Sequence, residues 1–398
     1  MITSNRANKI HVSPTMQVAA EAKKMKAEGI NVIDLSVGEP DFPTPHNIKE
    51  AAKKAIDENQ TRYTINVGTV ELRKAIIQKL KRDNHLEYNL NEVIASNGAK
   101  QCVFNAILAV INDGDEVIIP APYWVSYPDM VSMANGKSIF IETKEENGFK
   151  LIPKKLEEAI TSKTKMLILC NPSNPTGSAY TKTELEALAD VIEGKNILVL
   201  SDEIYEKLTY NDYKFVSFAS LGEEMKQKTI LVNGVSKTYS MTGWRIGYAA
   251  ASEDIIEAMN KIQSHSTSNA SSISQAAAIE ALAGPQYVIN EMLEEFKKRQ
   301  EYFYKELTSI KGITCYKPEG AFFLFPNISH YFGQHTDILK IEHSFDFAMH
   351  ILYEAHIAAV PGSAFGAERF IRISYATSME NLKEAIFRLK KALGRLTN

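Results

Sequence analysis

Three strand ends in this sequence deliver an amine, an acid with a phenol, and an amide. Lys237 sits in Val232-Asn233-Gly234-Val235-Ser236-Lys237, just past the apolar run Thr229 to Val232, with Arg245 further along the same stretch. A lysine there points inward as an amine nucleophile, whereas most of the chain's 45 lysines and arginines read as solvated charge. The run Ile197 to Leu200 ends in Ser201-Asp202-Glu203-Ile204-Tyr205, and the run Met166 to Cys170 ends in Asn171-Pro172-Ser173-Asn174. An inward amine beside a carboxylate, a phenol and an amide suits covalent chemistry on a carbonyl group.

The same set meets the needs of a pyridoxal 5′-phosphate site. Such a site takes a lysine for the covalent link to the aldehyde, a carboxylate for the pyridine nitrogen, and donors for the ring oxygen and phosphate. Ser96-Asn97-Gly98-Ala99-Lys100-Gln101 joins a strand to a helix that runs through Val110, and free N–H groups and the positive helix end converge at such a turn. Taken alone it reads first as an ordinary strand-to-helix turn. Arg245 favours the phosphate reading, because a guanidinium grips an anion at two points. Asp202 also suits a helix N-cap, and Trp124, in Pro122-Tyr123-Trp124-Val125-Ser126-Tyr127, also suits core packing, as does Trp244. Arg372 interrupts the apolar strand Phe370-Ile371-Arg372-Ile373-Ser374-Tyr375, so its charge is expected at least half buried. It then needs an anion, either a structural carboxylate or a bound one.

From about Val32 to Leu393 these motifs, in this order, resemble the class I aminotransferases of pyridoxal-phosphate fold type I, most of all the plant- and bacterial-type aspartate aminotransferases. The resemblance implies that Lys237 carries the coenzyme and, with Asp202 and Tyr205, forms the catalytic set. It implies that the turn Gly98, Ala99 and Lys100, together with Ser236 and Arg245, holds the coenzyme at its phosphate end. Asn174 and Tyr205 would share the ring oxygen and Trp124 would stack on the ring. Tyr63, in Arg62-Tyr63-Thr64, would reach the phosphate of a neighbouring subunit, which makes the active unit a homodimer. Arg372 would clamp the α-carboxylate of the substrate, with Asn174 and Trp124 beside it, and Gly38, in Ser36-Val37-Gly38-Glu39-Pro40-Asp41-Phe42, would let backbone approach that carboxylate.

Substrate choice rests on Lys100. Animal and enterobacterial aspartate aminotransferases bind the distal carboxylate with an arginine in the stretch resembling Ser264 to Asn269, where this chain has neither arginine nor lysine. The plant and bacterial subgroup uses a Gly-x-Lys lysine in the phosphate turn, which Lys100 matches. The resemblance therefore implies amino-group exchange between L-aspartate and 2-oxoglutarate, with the freed Lys237 amine moving the α-proton. Prephenate, aromatic amino acids and kynurenine stay open as alternatives, as does a carbon–sulfur lyase of the same fold. Met16 stands where prephenate-active relatives are expected to carry a lysine.

The elements that position these residues follow from the rest of the chain. Its 398 residues exceed one ordinary core, which predicts two domains. Runs at Val93–Ala95, Glu116–Ile119, Ile139–Glu142, Met166–Cys170, Ile197–Leu200, Thr229–Val232 and Gly247–Ala250 alternate with helical segments. That pattern predicts an α/β fold with a mostly parallel seven-stranded sheet. Past about residue 290 come a charged helix over Met292–Leu307, strands at Phe322–Phe325 and Phe370–Tyr375, and a final helix opening on the capping-box spacing Thr377 to Glu380. This region reads as a smaller α+β domain. By resemblance residues 47–289 form the large coenzyme-binding domain, while 1–46 and 290–398 form the small one with an N-terminal arm. A helix is expected to open at Thr44-Pro45 with the proline in its first turn.

A net charge of −3 and scattered histidines give no reason to expect nucleic acid or an anionic membrane as partner; small amino and oxo acids are expected instead. Cys102, Cys170 and Cys315 lie far apart, without the spacing of a zinc site or a disulfide framework, so no metal is expected. The polar stretch Met1–Ser13 has no signal-peptide pattern and no apolar run spans a bilayer, which predicts a cytoplasmic protein.

Overall fold

A computed structural model describes residues 2–10, 14–210, 212–336 and 339–397. The polar stretch Met1–Ser13 is thus covered only in part. All seven expected strands occur and share one sheet: β1 (Val93–Ser96), β2 (Glu116–Ala121), β3 (Lys137–Glu142), β4 (Thr164–Cys170), β5 (Leu198–Asp202), β6 (Thr229–Gly234) and β7 (Gly247–Ala250). Their spatial order is β1-β7-β6-β5-β4-β2-β3. Only β7 runs against its neighbours, pairing antiparallel with both β1 and β6. Helices cover both faces, so the central strands β4, β5 and β6 read as nearly unbroken β-branched and leucine runs.

Side chains alternate across the sheet with period two. Ile94, Val117, Ile119, Met166, Ile168, Leu200, Ile230 and Val232 form a core on one face. Ile118, Leu167, Leu169 and Val199 face the other way. Each such side chain, fully removed from water, contributes about 1.5–3 kcal/mol.

The antiparallel strand decides where the chemistry assembles. Because β7 is reversed, its first residue lies at the edge where the parallel strands end, and Gly247 pairs with both Ser96 of β1 and Gly234 of β6. Arg245, two residues earlier, is thereby placed between the turn after β1 and the turn after β6. A Cβ at position 247 would strike the backbone of Gly98 and Ala99, so glycine is what lets those chains cross so closely.

The C-terminal part holds a three-stranded antiparallel sheet of Val360–Pro361, Ile371–Ser374 and Phe323–Leu324, with the helices Tyr287–Thr308, Ser344–Ala355 and Met379–Leu393. Ile33–Asp34 pairs in parallel with Ile357–Ala358, and Ile33 and Leu35 share a core with Phe296, Phe303, Phe322, Ile373 and Leu389. The helix Tyr287–Thr308 starts earlier than the charge pattern suggests, directly after Gly284-Pro285, and it crosses the expected limit at residues 289 and 290. Its Ile289 packs with the core of the helices His46–Asp57 and Val70–Asn84, whereas Phe296, Phe303 and Leu307 belong to the C-terminal core.

Two helix starts differ from expectation by one residue. Pro45 is the N-cap of His46–Asp57 in an extended conformation, not a first-turn residue. The last helix is capped by Ser378, whose Oγ accepts from Asn381 N at 3.1 Å; Thr377 lies one residue too early for a box with Glu380 and accepts from Asn381 Nδ2 instead.

Candidate active site

A cavity of about 380 Å³ opens at the carboxyl edge of the sheet, the place where open α/β sheets bind ligands. It brings together Gly38, Ala99, Lys100, Trp124, Asn174, Asp202, Tyr205, Ser236, Lys237, Arg245 and Arg372. Gly98 adjoins it as the N-cap of the helix Ala99–Val110, at φ +88°. Tyr63 is the exception: its side chain is 93% exposed, on a surface groove with Thr267 and Asn269, away from this cavity.

Lys237 is partly buried, and its Nζ donates to Gly38 O at 2.6 Å. Burial pushes its ammonium down to about 8, with Arg372 and Arg245 acting in the same sense and the Glu39 and Asp202 charges opposing. A neutral amine, the form that attacks a carbonyl, is therefore accessible near neutrality. Asp202 ends β5 with 6% exposure, and burial raises its carboxyl to about 6. Tyr127, which is buried, opposes that rise by donating to Asp202 Oδ2 at 2.7 Å. Asp202 caps no helix; the chain turns after it, and only Ile204 N reaches its Oδ1, at 3.4 Å. Sequence reasoning gave Tyr127 no role. The signal was its position one helical turn beyond Trp124, to whose ring it stands edge-on at 5.2 Å.

Arg372 lies among amide, carbonyl and aromatic neighbours. Its Nη1 donates to Asn174 Oδ1 at 3.0 Å and its Nη2 to Ser36 O at 2.6 Å, while Phe323 and Phe365 flank its plane at 4.4 and 5.2 Å. No carboxylate of the described residues pairs with it, its Nε has no hydrogen-bond partner, and burial lowers it to about 10. A guanidinium buried without an anion is costly, and the cavity is where one can be supplied. Since Asn174 Oδ1 is taken by Arg372, its amide N–H groups are left to donate elsewhere.

At the opposite end Arg245, itself at φ +57°, donates to Thr242 O and Asn97 O at 2.9 and 3.2 Å. These bonds fix it over the start of the helix Ala99–Val110, whose first N–H groups lack helical partners. The Lys100 Nζ lies 4.9 Å from the Trp124 ring centroid, and burial followed by the Arg245 charge lowers its ammonium.

These residues fit pyridoxal phosphate. The orphaned Arg372 Nε, the helix start beside Arg245, and an acid and an amine at adjacent strand ends are the donor set a carboxylate substrate and a phosphorylated aldehyde require. Among the described residues no group of three or more histidines, cysteines, aspartates or glutamates is placed to hold a metal ion, and no helix is long and apolar enough to cross a membrane.

Comparison with known proteins agrees. The chain is 49% identical over 390 residues to an aspartate aminotransferase of Bacillus sp. strain YM-2, covering 98% of each chain. It is 49% identical to a probable aspartate/prephenate aminotransferase of Rickettsia felis, over all of this chain and 97% of that one. The crystal structure of an aspartate aminotransferase from Rhizobium meliloti superposes with a TM-score of 0.96 at 45% identity, covering the whole of both chains. The model of aminotransferase class I and II matches residues 30–389, and with that span and those relatives the chain belongs to the class I and II aminotransferases.

Proposed function

We propose that this aminotransferase uses pyridoxal 5′-phosphate to move the amino group of L-aspartate to 2-oxoglutarate. The observation that carries the reading is the buried Arg372, which has hydrogen bonds but no carboxylate partner and shares a cavity with a second cation, Lys100, and the amine of Lys237. Two cations at separate places in one cavity suit a dicarboxylic amino acid, the α-carboxylate at Arg372 beside Gly38 and the distal carboxylate at Lys100. The names of the Bacillus and Rhizobium relatives support the same donor.

Lys237 would carry the coenzyme, Asp202 would pair with its pyridine nitrogen, and Tyr205 and Asn174 would donate to its ring oxygen. Trp124 would lie on its ring, while Gly98, Ala99, Ser236 and Arg245 would hold its phosphate with Tyr63 of a second copy. Bound there, the coenzyme supplies an electron sink for the bond to the α-hydrogen. Lys237 Nζ would accept the α-proton as general base and return it as general acid, which requires hydrogen-bond reach and an amine near neutrality. Asp202, kept ionised by Tyr127, would pair with a protonated pyridine nitrogen, and Arg372 would fix the substrate so that its α-hydrogen meets Nζ. We further propose the two-domain division at residues 46/47 and 289/290, a homodimer because Tyr63 is exposed and stands apart from the cavity, and a cytoplasmic setting for the three unpaired cysteines.

A panel of aspartate, alanine, phenylalanine and kynurenine with 2-oxoglutarate tests the substrate. Aspartate is expected to be preferred, and Lys100→Ala is expected to raise its KM far more than that of alanine or phenylalanine. Equal effects on all three would remove Lys100 as the selecting residue, and pyruvate and ammonia released from cysteine conjugates without an oxo acid would identify a lyase. The name of the Rickettsia relative gives prephenate as a second acceptor to include.

A further inference from the structure

The turn that presents Asp202 and Tyr205 is held from behind by charges that no step of the proposed reaction uses. Asp202 and Tyr205 line the cavity, whereas Glu203 and Glu206 of the same turn are buried and lie outside its lining. Glu206, Lys79 and Asn84 close a ring. The Lys79 ammonium pairs with Glu206 Oε1 and donates to Asn84 Oδ1 at 2.8 Å, and Asn84 Nδ2 donates to Glu206 Oε2 at 2.9 Å. None of the three is more than 5% exposed. One residue on, Lys207 pairs with Asp83 at 3.1 Å, and Asp83 also accepts from Arg82 Nε and Nη2 at 2.7 and 3.0 Å. Glu203 is tied by Ser201 and Ser217, whose hydroxyls donate to its Oε1 at 2.9 and 2.7 Å.

The end of the helix Val70–Asn84 thus clamps the turn at two successive residues, Glu206 and Lys207. Apolar side chains of equal volume would hold the two segments together as well or better, because a buried ion pair loses in desolvation what it gains in attraction. What apolar packing does not supply is direction. Three mutually satisfied polar groups allow one relative placement of helix and turn, and a shift of either leaves a buried charge short of a bond.

We infer that Lys79, Glu206 and Asn84 form a positioning device that sets the 202–207 turn, and through it the Asp202 carboxylate and the Tyr205 hydroxyl, against the coenzyme. The inference rests on the coenzyme-binding roles proposed above for Asp202 and Tyr205. Lys79 and Glu206 are not among the residues that line the cavity, so they act only through the turn.

The test uses the coenzyme-loaded full chain with Lys79→Met and Glu206→Leu combined, which removes both charges and leaves neither stranded. Four quantities are read: the pH midpoint of the bound coenzyme's absorbance change, kcat and KM for aspartate, and the thermal unfolding midpoint. Loosening the Tyr205 donor is expected to move the absorbance midpoint up by about half a pH unit or more. It is also expected to lower kcat roughly tenfold while KM stays within about twofold. An unchanged absorbance midpoint and unchanged kcat, whatever happens to thermal stability, would overturn the positioning role. Should the double variant fail to fold, Asn84→Ala removes the bridging bonds but keeps the ion pair; a smaller shift in the same two readouts supports the inference, and none overturns it. A wild-type chain that gains no coenzyme absorbance at all would instead sink the coenzyme assignment itself.

Discussion

Tyr127 donates its phenolic hydrogen to Asp202 Oδ2 across 2.7 Å, and both residues are buried. The bond works against burial, which by itself pushes the Asp202 carboxyl up to about 6. Tyr127→Phe removes it without opening a cavity. The carboxyl is then expected to rise further and coenzyme affinity to fall roughly tenfold, the scale of one hydrogen bond to a charged group. Titration of coenzyme-free protein with pyridoxal phosphate, followed by absorbance, measures this; equal affinity in variant and wild type would contradict it.

The same carboxyl gives a pH dependence. Its folded-state value lies above the ordinary carboxylate range, so the coenzyme-free protein takes up a proton there as pH falls through about 6. Only the ionised acid pairs with a protonated pyridine nitrogen. Coenzyme affinity is therefore expected to be fully present above about pH 7 and to fall as pH drops through 6, read as a rising dissociation constant between about pH 7 and pH 5.

Lys237 sets a second window. Burial lowers its ammonium to about 8, so the attacking neutral amine accumulates as pH rises through 8. The rate of covalent coenzyme attachment in stopped-flow absorbance is expected to climb to about pH 8 and then level off. A rate still climbing towards the ordinary lysine range of about 10.4 would refute the depressed value. Lys237→Ala is expected to abolish both the visible absorbance and turnover.

At Arg372, replacement by lysine keeps a charge but cannot preserve bonds to Asn174 and Ser36 and also grip a carboxylate at two points. Arg372→Lys is expected to raise KM for the amino donor roughly 100-fold, from the loss of one to two charge-assisted hydrogen bonds, with coenzyme absorbance retained. A KM within a few-fold of wild type would remove Arg372 as the carboxylate residue.

Gly98 combines φ +88° with the absence of space, since a Cβ there would run into the Arg245 guanidinium. Gly98→Ala is expected to displace Arg245 and weaken coenzyme binding roughly tenfold or more, with much smaller loss of binding for the unphosphorylated aldehyde. Equal weakening of both compounds would show that the turn does not serve the phosphate.

The sequence by itself determined the succession and type of the main-sheet strands, because strands covered on both faces carry unbroken apolar runs, as β4 does over Met166–Cys170, β5 over Leu198–Leu200 and β6 over Ile230–Val232. It also determined which strand ends carry polar side chains, since Asn174, Asp202 and Lys237 each follow an apolar run within a few residues. Only the tertiary structure decided that these ends converge, because convergence depends on spatial strand order and on the reversal of β7, which brings Arg245 back beside Gly98. The anion requirement of Arg372 was legible from a charge inside an apolar strand, yet its actual partners, Asn174 and Ser36, lie 198 and 336 residues away and have no local signature. The Lys79–Glu206–Asn84 ring was invisible for the same reason. A buried polar side chain is defined by the partner that satisfies it, and long-range partners are chosen by how helices pack on the sheet, not by spacing along the chain.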